Sequence, residues 1–120
     1  MDPIDFVQTK VFSNEWDRLG LKDEDLRLLE MAIMTNPQGC PVISGTGGLR
    51  KIRFAPRSWR KGKRGALRVC FVHFQEYQVV LLVVVYAKGE RDNISPAGKR
   101  TIKKEIEKQR LLFAQRRENQ

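Results

Sequence analysis

Basic residues crowd one short segment of the chain, and their chemistry is that of a phosphate-binding surface. Nine of the nineteen residues at 50–68 are Lys or Arg, and none is Asp or Glu. Fixed guanidinium and ammonium groups bind phosphate oxygens and stabilise negative charge that develops at phosphorus. The nine are Arg50, Lys51, Arg53, Arg57, Arg60, Lys61, Lys63, Arg64 and Arg68. The segment therefore predicts a polyanionic partner: RNA, DNA or an acidic protein.

Two of these cations share one side of a predicted strand. Lys51 and Arg53 are two residues apart, so a strand over 49–54 points both side chains to the same face of a sheet. Arg68 opens the next predicted strand, at 66–75, and lies beside them if the two strands are neighbours. The planar fork of the Arg68 guanidinium suits it to hold the oxygens of a phosphate under attack.

Three further features near this segment have both a functional and a structural interpretation. Trp59 is either a stacking platform for a base or an anchor for its loop. The glycine-rich stretch 45–48 lacks the Gly-Lys-Ser/Thr of a Walker loop and indicates a turn more than a phosphate cradle. His73, the single histidine, is interpreted as structural rather than as a catalytic base. Cys40 and Cys70 are the only cysteines and form no Cys-x-x-Cys pair, and the chain has one histidine, so no zinc site is predicted. A chain of this length has no room for a large buried cofactor, and no cofactor is predicted.

Hydrophobic patterning indicates the first elements that position these side chains. Residues 6–12 alternate as an edge strand does, and Ser13 is the predicted cap of a short helix that Gly20 ends. Three acidic residues at 23–25 favour the start of a second helix, which Asn-Pro at 36–37 stops.

The second half of the chain is predicted to supply the sheet and one more helix. The almost wholly apolar stretch 78–86 is typical of a central strand covered on both faces, and it follows 66–75 closely enough to form a hairpin. Ser95 and Pro96 suit the start of a last helix. The expected class is α+β in one domain over 1–120, with an N-terminal strand, a helical hairpin, a mainly antiparallel sheet and a C-terminal helix.

Charge and hydropathy narrow the range of partners. The 120 residues carry a net charge of +9 with 41% hydrophobic residues, which is the balance of a basic globular protein. The longest apolar run, 79–87, is about half the ~20 residues that a spanning helix needs. The acidic start of the chain is unlike a secretory signal. We therefore expect a cytoplasmic protein with no membrane partner.

Five short stretches match a known pattern in order and spacing. They are 45–53 (GTGGLRKIR), 61–65 (KGKRG), 68–69 (RV), 86–90 (YAKGE) and 94–97 (ISPA). Together they resemble the HigB-type branch of the RelE/ParE toxin superfamily. The resemblance implies a small RelE-like α+β fold and the toxin of a type II toxin–antitoxin system. It also implies metal-independent, ribosome-dependent cleavage of mRNA, with a helix-turn-helix antitoxin as the cognate partner.

The resemblance also assigns site residues. In this family the active surface has basic residues on one strand, an arginine on the next, and basic or aromatic residues after the last strand. The corresponding catalytic residues are Lys51, Arg53, Arg68, Tyr86 and Lys88, of which Lys51 or Lys88 could take the proton of the ribose 2′-hydroxyl. The predicted RNA-binding residues are Arg50, Arg57, Trp59, Arg60, Lys61, Lys63 and Arg64. No tyrosine follows Tyr86, whereas the RelE branch uses one in its final segment.

Two other functions fit the same sequence. ParE-like relatives poison DNA gyrase on this scaffold, because a fold does not fix a function. A non-enzymatic nucleic-acid-binding module would need only the basic segment. Cleavage of translated mRNA, inhibition of DNA supercoiling and salt-dependent binding without cleavage distinguish the three.

Overall fold

Four strands and three α-helices form the part of the chain that the structure describes. The structure is a computed structural model, and it describes residues 3–59, 66–87, 89 and 94–119. In chain order the elements are β1 (Asp5–Gln8), α1 (Lys10–Arg18), α2 (Asp23–Thr35), β2 (Arg50–Phe54), β3 (Leu67–Phe74), β4 (Val79–Ala87) and α3 (Pro96–Glu118). This order confirms the predicted α+β class, with a helical hairpin near the start and a helix at the end.

The strands form one mixed sheet in the order β1-β4-β3-β2. The pairs β2–β3 and β3–β4 are antiparallel, whereas β1 lies parallel to β4 at the edge of the sheet. β4 therefore has a neighbour on each side, and most of its residues are buried. The prediction of a central, two-sided strand in a hairpin with β3 is confirmed.

Helices cover both faces of the sheet. On one face, α1 and α2 supply Phe12, Trp16, Leu29 and Ile33 to a core that includes Val69, Phe71, Leu82 and Val85 of the sheet. On the other face, α3 supplies Ile106 and Phe113 to a core with Cys70, Val72, Phe74 and Leu81. Alternate residues along β3 thus enter opposite cores, as the pleat of a strand requires.

The predicted N-terminal strand over residues 6–12 is wrong in its second half. The strand ends at Gln8, and Thr9 caps α1 by accepting a 3.0 Å hydrogen bond from the Phe12 amide. Phe12 and Trp16 are four residues apart and stack in the core with centroids 5.5 Å apart. This i, i+4 pair buries more apolar surface in a helix than in an edge strand. Ser13, the expected cap, lies inside α1.

The start of α3 is as predicted. Ser95 accepts a 3.0 Å hydrogen bond from the Gly98 amide, and Pro96 is the first helical residue. The second half of the helix is tightly held: Arg110 forms a 2.5 Å ion pair with Glu76 and lies over the Phe74 ring at 5.0 Å. Within the described ranges, no helix has both the length and the apolar character that crossing a bilayer requires.

Candidate nucleic-acid interface

Four of the predicted catalytic residues lie together on one face of the sheet. Arg53 of β2 is directly opposite Arg68 of β3, and Arg68 is directly opposite Tyr86 of β4. Lys51 is two residues from Arg53 along β2 and shares its face. Adjacent strands are about 4.8 Å apart, so the three strands bring these side chains into one short row. We call Lys51, Arg53, Arg68 and Tyr86 the sheet cluster.

The sheet cluster lies on the face that α3 covers. Ile52 and Phe54 of β2 pack into the opposite core, below α1 and α2, so their alternating neighbours turn to the α3 side. Tyr86 packs against the α3 core. Arg53 is exposed, and the other three members are half-buried. The cluster is therefore fixed at its base by the sheet and open to a ligand at its tips.

The electrostatics of the sheet cluster are unusual for a sheet. Arg53 and Arg68 are like charges in a cross-strand pair, an arrangement that is destabilising in itself. Within the described part of the chain, no carboxylate forms an ion pair with either arginine or with Lys51. The Nη1 of Arg68 donates a 3.2 Å hydrogen bond to the Ala66 carbonyl, which holds the guanidinium near the start of its own strand. The arrangement is suited to an anion that neutralises both arginines.

A cavity of about 840 Å³ adjoins the sheet cluster. Lys51 and Tyr86 form part of its wall. The other described lining residues come from the loop before β2, the start of α1, the middle of β4, and the first turns of α3 with the residues just before it. Lys99 of α3 lines it as well, so a cation outside the predicted segment stands near Lys51. The sheet cluster and the cavity therefore share two residues, Lys51 and Tyr86.

Arg50 is placed apart from the sheet cluster. Its guanidinium donates hydrogen bonds to the carbonyls of Cys40 (2.6 Å) and Gln38 (3.2 Å), and to the Gln38 side-chain oxygen (2.9 Å). These bonds tie β2 to the preceding loop. Arg50 therefore has a structural role, which is to hold the loop before β2 in place. Its predicted contact with RNA stays a prediction.

His73 is also remote from the sheet cluster. It pairs with Val80, towards the far end of the β3–β4 hairpin, and its Nδ1 is 3.0 Å from the Gln38 side-chain nitrogen. Burial lowers the pKa of His73, the nearby Arg50 charge lowers it further, and Glu76 opposes the shift. This environment agrees with the structural interpretation of the histidine.

Trp59 and Arg57 lie outside the sheet cluster. Trp59 is half-buried against the core below α1 and α2, on the opposite face of the sheet, which agrees with an anchoring role for its ring. Arg57 is exposed, with its guanidinium 3.5 Å from the Glu24 carboxylate. The remaining predicted residues lie outside the described residues: Arg60, Lys61, Lys63, Arg64 and Lys88.

The first half of α3 contributes cations that the sequence analysis missed. Lys99 and Lys103 lie against the glycine-rich loop at 45–48. A Cβ placed on Gly45 would be 3.4 Å from Lys99 Cδ, and a Cβ placed on Gly47 would be 3.1 Å from Lys103 Cγ. Both glycines have positive φ, and the buried Thr46 between them donates a 2.6 Å hydrogen bond to the Ile43 carbonyl. The loop is thus a turn that packs on α3.

The signal for these α3 cations was present in the sequence as helical spacing. Residues four apart lie on one side of a helix. The basic residues at this spacing are Lys99 with Lys103 and Arg100 with Lys104. Because Glu105 and Glu107 follow closely, these basic residues do not form a long acid-free run, which is the feature that identified the segment 50–68.

A comparison with known families adds no identification. No protein-family model matches the chain. The resemblance to the RelE/ParE superfamily accordingly remains a prediction. The α+β fold agrees with the one that the resemblance implies, but one fold supports several functions. Function is therefore inferred from the sheet cluster.

Proposed function

We propose that the protein is a metal-independent endoribonuclease that cleaves mRNA on the ribosome, as the toxin of a type II toxin–antitoxin system. The observation that carries the proposal is the cross-strand pair Arg53–Arg68, which has no carboxylate partner in the described part of the chain and stands beside Lys51. Two guanidinium groups held by neighbouring strands match the oxygens of one phosphodiester.

The proposed reaction uses the RNA itself as the nucleophile. The ribose 2′-oxygen attacks the adjacent phosphorus, the bond to the 5′-oxygen breaks, and the products carry a 2′,3′-cyclic phosphate and a 5′-hydroxyl. Arg53 and Arg68 stabilise the charge on the non-bridging oxygens, and the sheet fixes the backbone positions from which both side chains extend. Lys51 is the proposed acceptor of the 2′ proton, and Tyr86 or a water returns a proton to the 5′-oxygen.

The ribosome has a defined task in this proposal. The sheet cluster is open at its tips, with Arg53 exposed, so the protein alone does little to align the 2′-oxygen with the scissile bond. Alignment of reacting groups accounts for a large part of many catalytic effects. We therefore expect the decoding site to supply this alignment.

The test is a cleavage assay with the purified protein and a translated message. Primer extension should show cuts within the reading frame when ribosomes translate it, and little cutting of the same RNA without ribosomes. A 2′-deoxy nucleotide at a mapped cut site should abolish that cut. Equally rapid cleavage of free RNA would contradict ribosome dependence.

The same preparation distinguishes the two alternatives. Salt-dependent RNA binding without cleavage would indicate a nucleic-acid-binding module. Inhibition of DNA supercoiling with normal translation would indicate a gyrase poison.

An antitoxin completes the proposed system. Because the chain carries a net charge of +9, a neutralising protein should present acidic side chains to it. Coexpression with the product of the adjacent gene should give a complex that survives moderate salt. If the product of the adjacent gene does not bind under these conditions, the proposal that it is the antitoxin is wrong.

A further inference from the structure

We infer that the cavity between α3 and β4 is a subsite for one nucleoside of the RNA strand, next to the phosphate that Arg53 and Arg68 hold. This inference rests on the proposed function and deepens it. The cavity shares Lys51 and Tyr86 with the sheet cluster, so a strand bound at the arginines can reach it without a break.

Two structural features adjoin the cavity. The second half of α3 is anchored through Phe113, which contacts the Phe74 ring at a centroid distance of 5.3 Å. Near the first turns of α3, the residue pairing between β3 and β4 skips Val83. Thr9 donates a 2.7 Å hydrogen bond to the Val83 carbonyl. A bulge of this kind bends a strand locally. The cavity lies beside this bulge, between β4 and the first half of α3.

The lining fits a flat apolar body with a negative charge at its edge. Its apolar wall includes Ile43, Val84 and Ile102, on which the face of a base can pack. Among the residues that the structure describes, its charged groups are three lysines, Lys10, Lys51 and Lys99, and one carboxylate, Glu105. This excess of positive charge favours an anionic ligand, and a nucleotide combines that anion with an aromatic ring.

Size and spacing agree with the same ligand. A volume of about 840 Å³ lies within the range of ordinary small-molecule pockets, at roughly 300–1,000 Å³, and has room for one nucleoside. Arg53 and Lys51 are two residues apart along β2, a step of about 7 Å, which is comparable to one nucleotide of an extended strand. Ser95, Thr101 and Glu105 supply polar groups for the edge of the base.

The direct test is an NMR titration of the full chain with guanosine and adenosine 3′-monophosphate. The inference requires chemical-shift changes at Ile43, Val84 and Ile102 with a nucleotide and not with inorganic phosphate. Val11, 56% exposed in the cavity wall, allows a blocking variant with little risk to the fold. Val11→Trp should weaken nucleotide binding by about tenfold or more, the loss expected when one base loses its stacking contacts.

The matched control is Met31→Trp on α2, at a side chain that is 59% exposed and outside the cavity lining. It should bind the nucleotides as the unchanged protein does. Shift changes restricted to other regions, or equal affinity in the Val11 and Met31 variants, would overturn the subsite. If nucleotides cause no shifts at the cavity and an acidic apolar peptide does, the cavity belongs to a protein partner instead.

A second arm separates this inference from the proposed function. Val11→Trp should change the base preference around the cuts in a translated message, whereas Met31→Trp should not. Cleavage with an unaltered preference in both variants would reject the subsite and leave the nuclease standing. Nucleotide binding in the cavity by a protein that cuts no message would reject the nuclease and leave the subsite standing.

Discussion

Neighbouring arginines in this chain have different tasks, and the difference lies in their partners. Arg50 is bonded to the loop before β2, whereas Arg53 faces Arg68 across the sheet. In the sequence both belong to one acid-free run, and nothing in the run distinguishes them. Alternation along β2 predicts the shared face of Lys51 and Arg53, but the hydrogen bonds of Arg50 depend on a loop whose path the sequence does not reveal.

Arg68→Ala should remove most of the activity and leave the fold intact. The guanidinium is half-buried at the start of β3, where the sheet fixes its base. Loss of one preorganised donor to a charged transition state typically lowers the rate by about 10²–10³-fold. Removal of one member of a like-charge pair should keep the free energy of unfolding within about 1 kcal/mol of the original. Cleavage of a translated message and urea denaturation measure the two quantities.

Arg57→Ala is the control for this change. Arg57 is an exposed cation of the same basic segment, outside the sheet cluster. We expect it to lower cleavage by less than about tenfold, through weaker attraction to RNA alone. Near-normal cleavage by folded Arg68→Ala would remove Arg68 from the site.

Arg50→Ala should instead lower stability. The substitution removes the guanidinium donor of the exposed Gln38 carbonyl and of the part-buried Cys40 carbonyl. Because water can reach the freed oxygens, we expect a loss of about 0.5–1.5 kcal/mol in the free energy of unfolding. Arg53→Ala is the matched control, since its side chain is exposed and its removal relieves repulsion from Arg68. Urea denaturation should rank Arg50→Ala well below Arg53→Ala. Equal midpoints would show that the Arg50 bonds contribute nothing to stability.

At the scale of elements, the sequence predicts the structure correctly where one periodicity dominates. The apolar run of β4 and the N-terminal cap of α3 have no competing interpretation, and both are confirmed. Residues 6–12 fit two periodicities. They alternate as a strand does, and their last residues also fit the start of a helix that places Phe12 and Trp16 on one side. Tertiary burial of these two rings decides between them. The skipped residue Val83, which lines the cavity, also has no local signal in the sequence.

Thr9→Ala should destabilise the junction of β1, α1 and β4. The Thr9 hydroxyl accepts from the Phe12 amide at 3.0 Å and donates to the Val83 carbonyl at 2.7 Å. Loss of an N-cap side chain typically costs about 0.5–2 kcal/mol, and we expect the upper half of that range because the bond to Val83 is lost as well. The midpoint of urea denaturation measures the change.

Thr9→Ser tests whether the hydroxyl is the cause. Serine keeps both hydrogen bonds and caps helices as well as threonine does, so the free energy of unfolding should stay within about 0.5 kcal/mol of the original. If serine destabilises the protein as much as alanine does, the lost methyl group rather than the two hydrogen bonds explains the effect.

At the scale of the molecule, the layers of the fold separate charge. α1 and α2, on one face of the sheet, contain three basic and six acidic residues, a net charge of −3. α3, on the other face, contains eight basic and three acidic residues, a net charge of +5. The sheet cluster lies on the α3 side. A polyanion is therefore attracted to the α3 face, which carries the proposed site, and repelled by the face covered by α1 and α2.

Lys104→Glu should weaken association with ribosomes more than the same change on the other face. Lys104 is an exposed residue of α3, and Arg27 is an exposed residue of α2, so Lys104→Glu and Arg27→Glu alter the net charge equally at sites that tolerate substitution. If α3 faces the RNA, Lys104→Glu removes a phosphate contact, and the slope of log affinity against log salt concentration should fall by about 1. Arg27→Glu should leave that slope unchanged. Sedimentation with ribosomes over a series of salt concentrations measures both slopes, and equal slopes for the two variants would show that the separation of charge does not orient the protein on RNA.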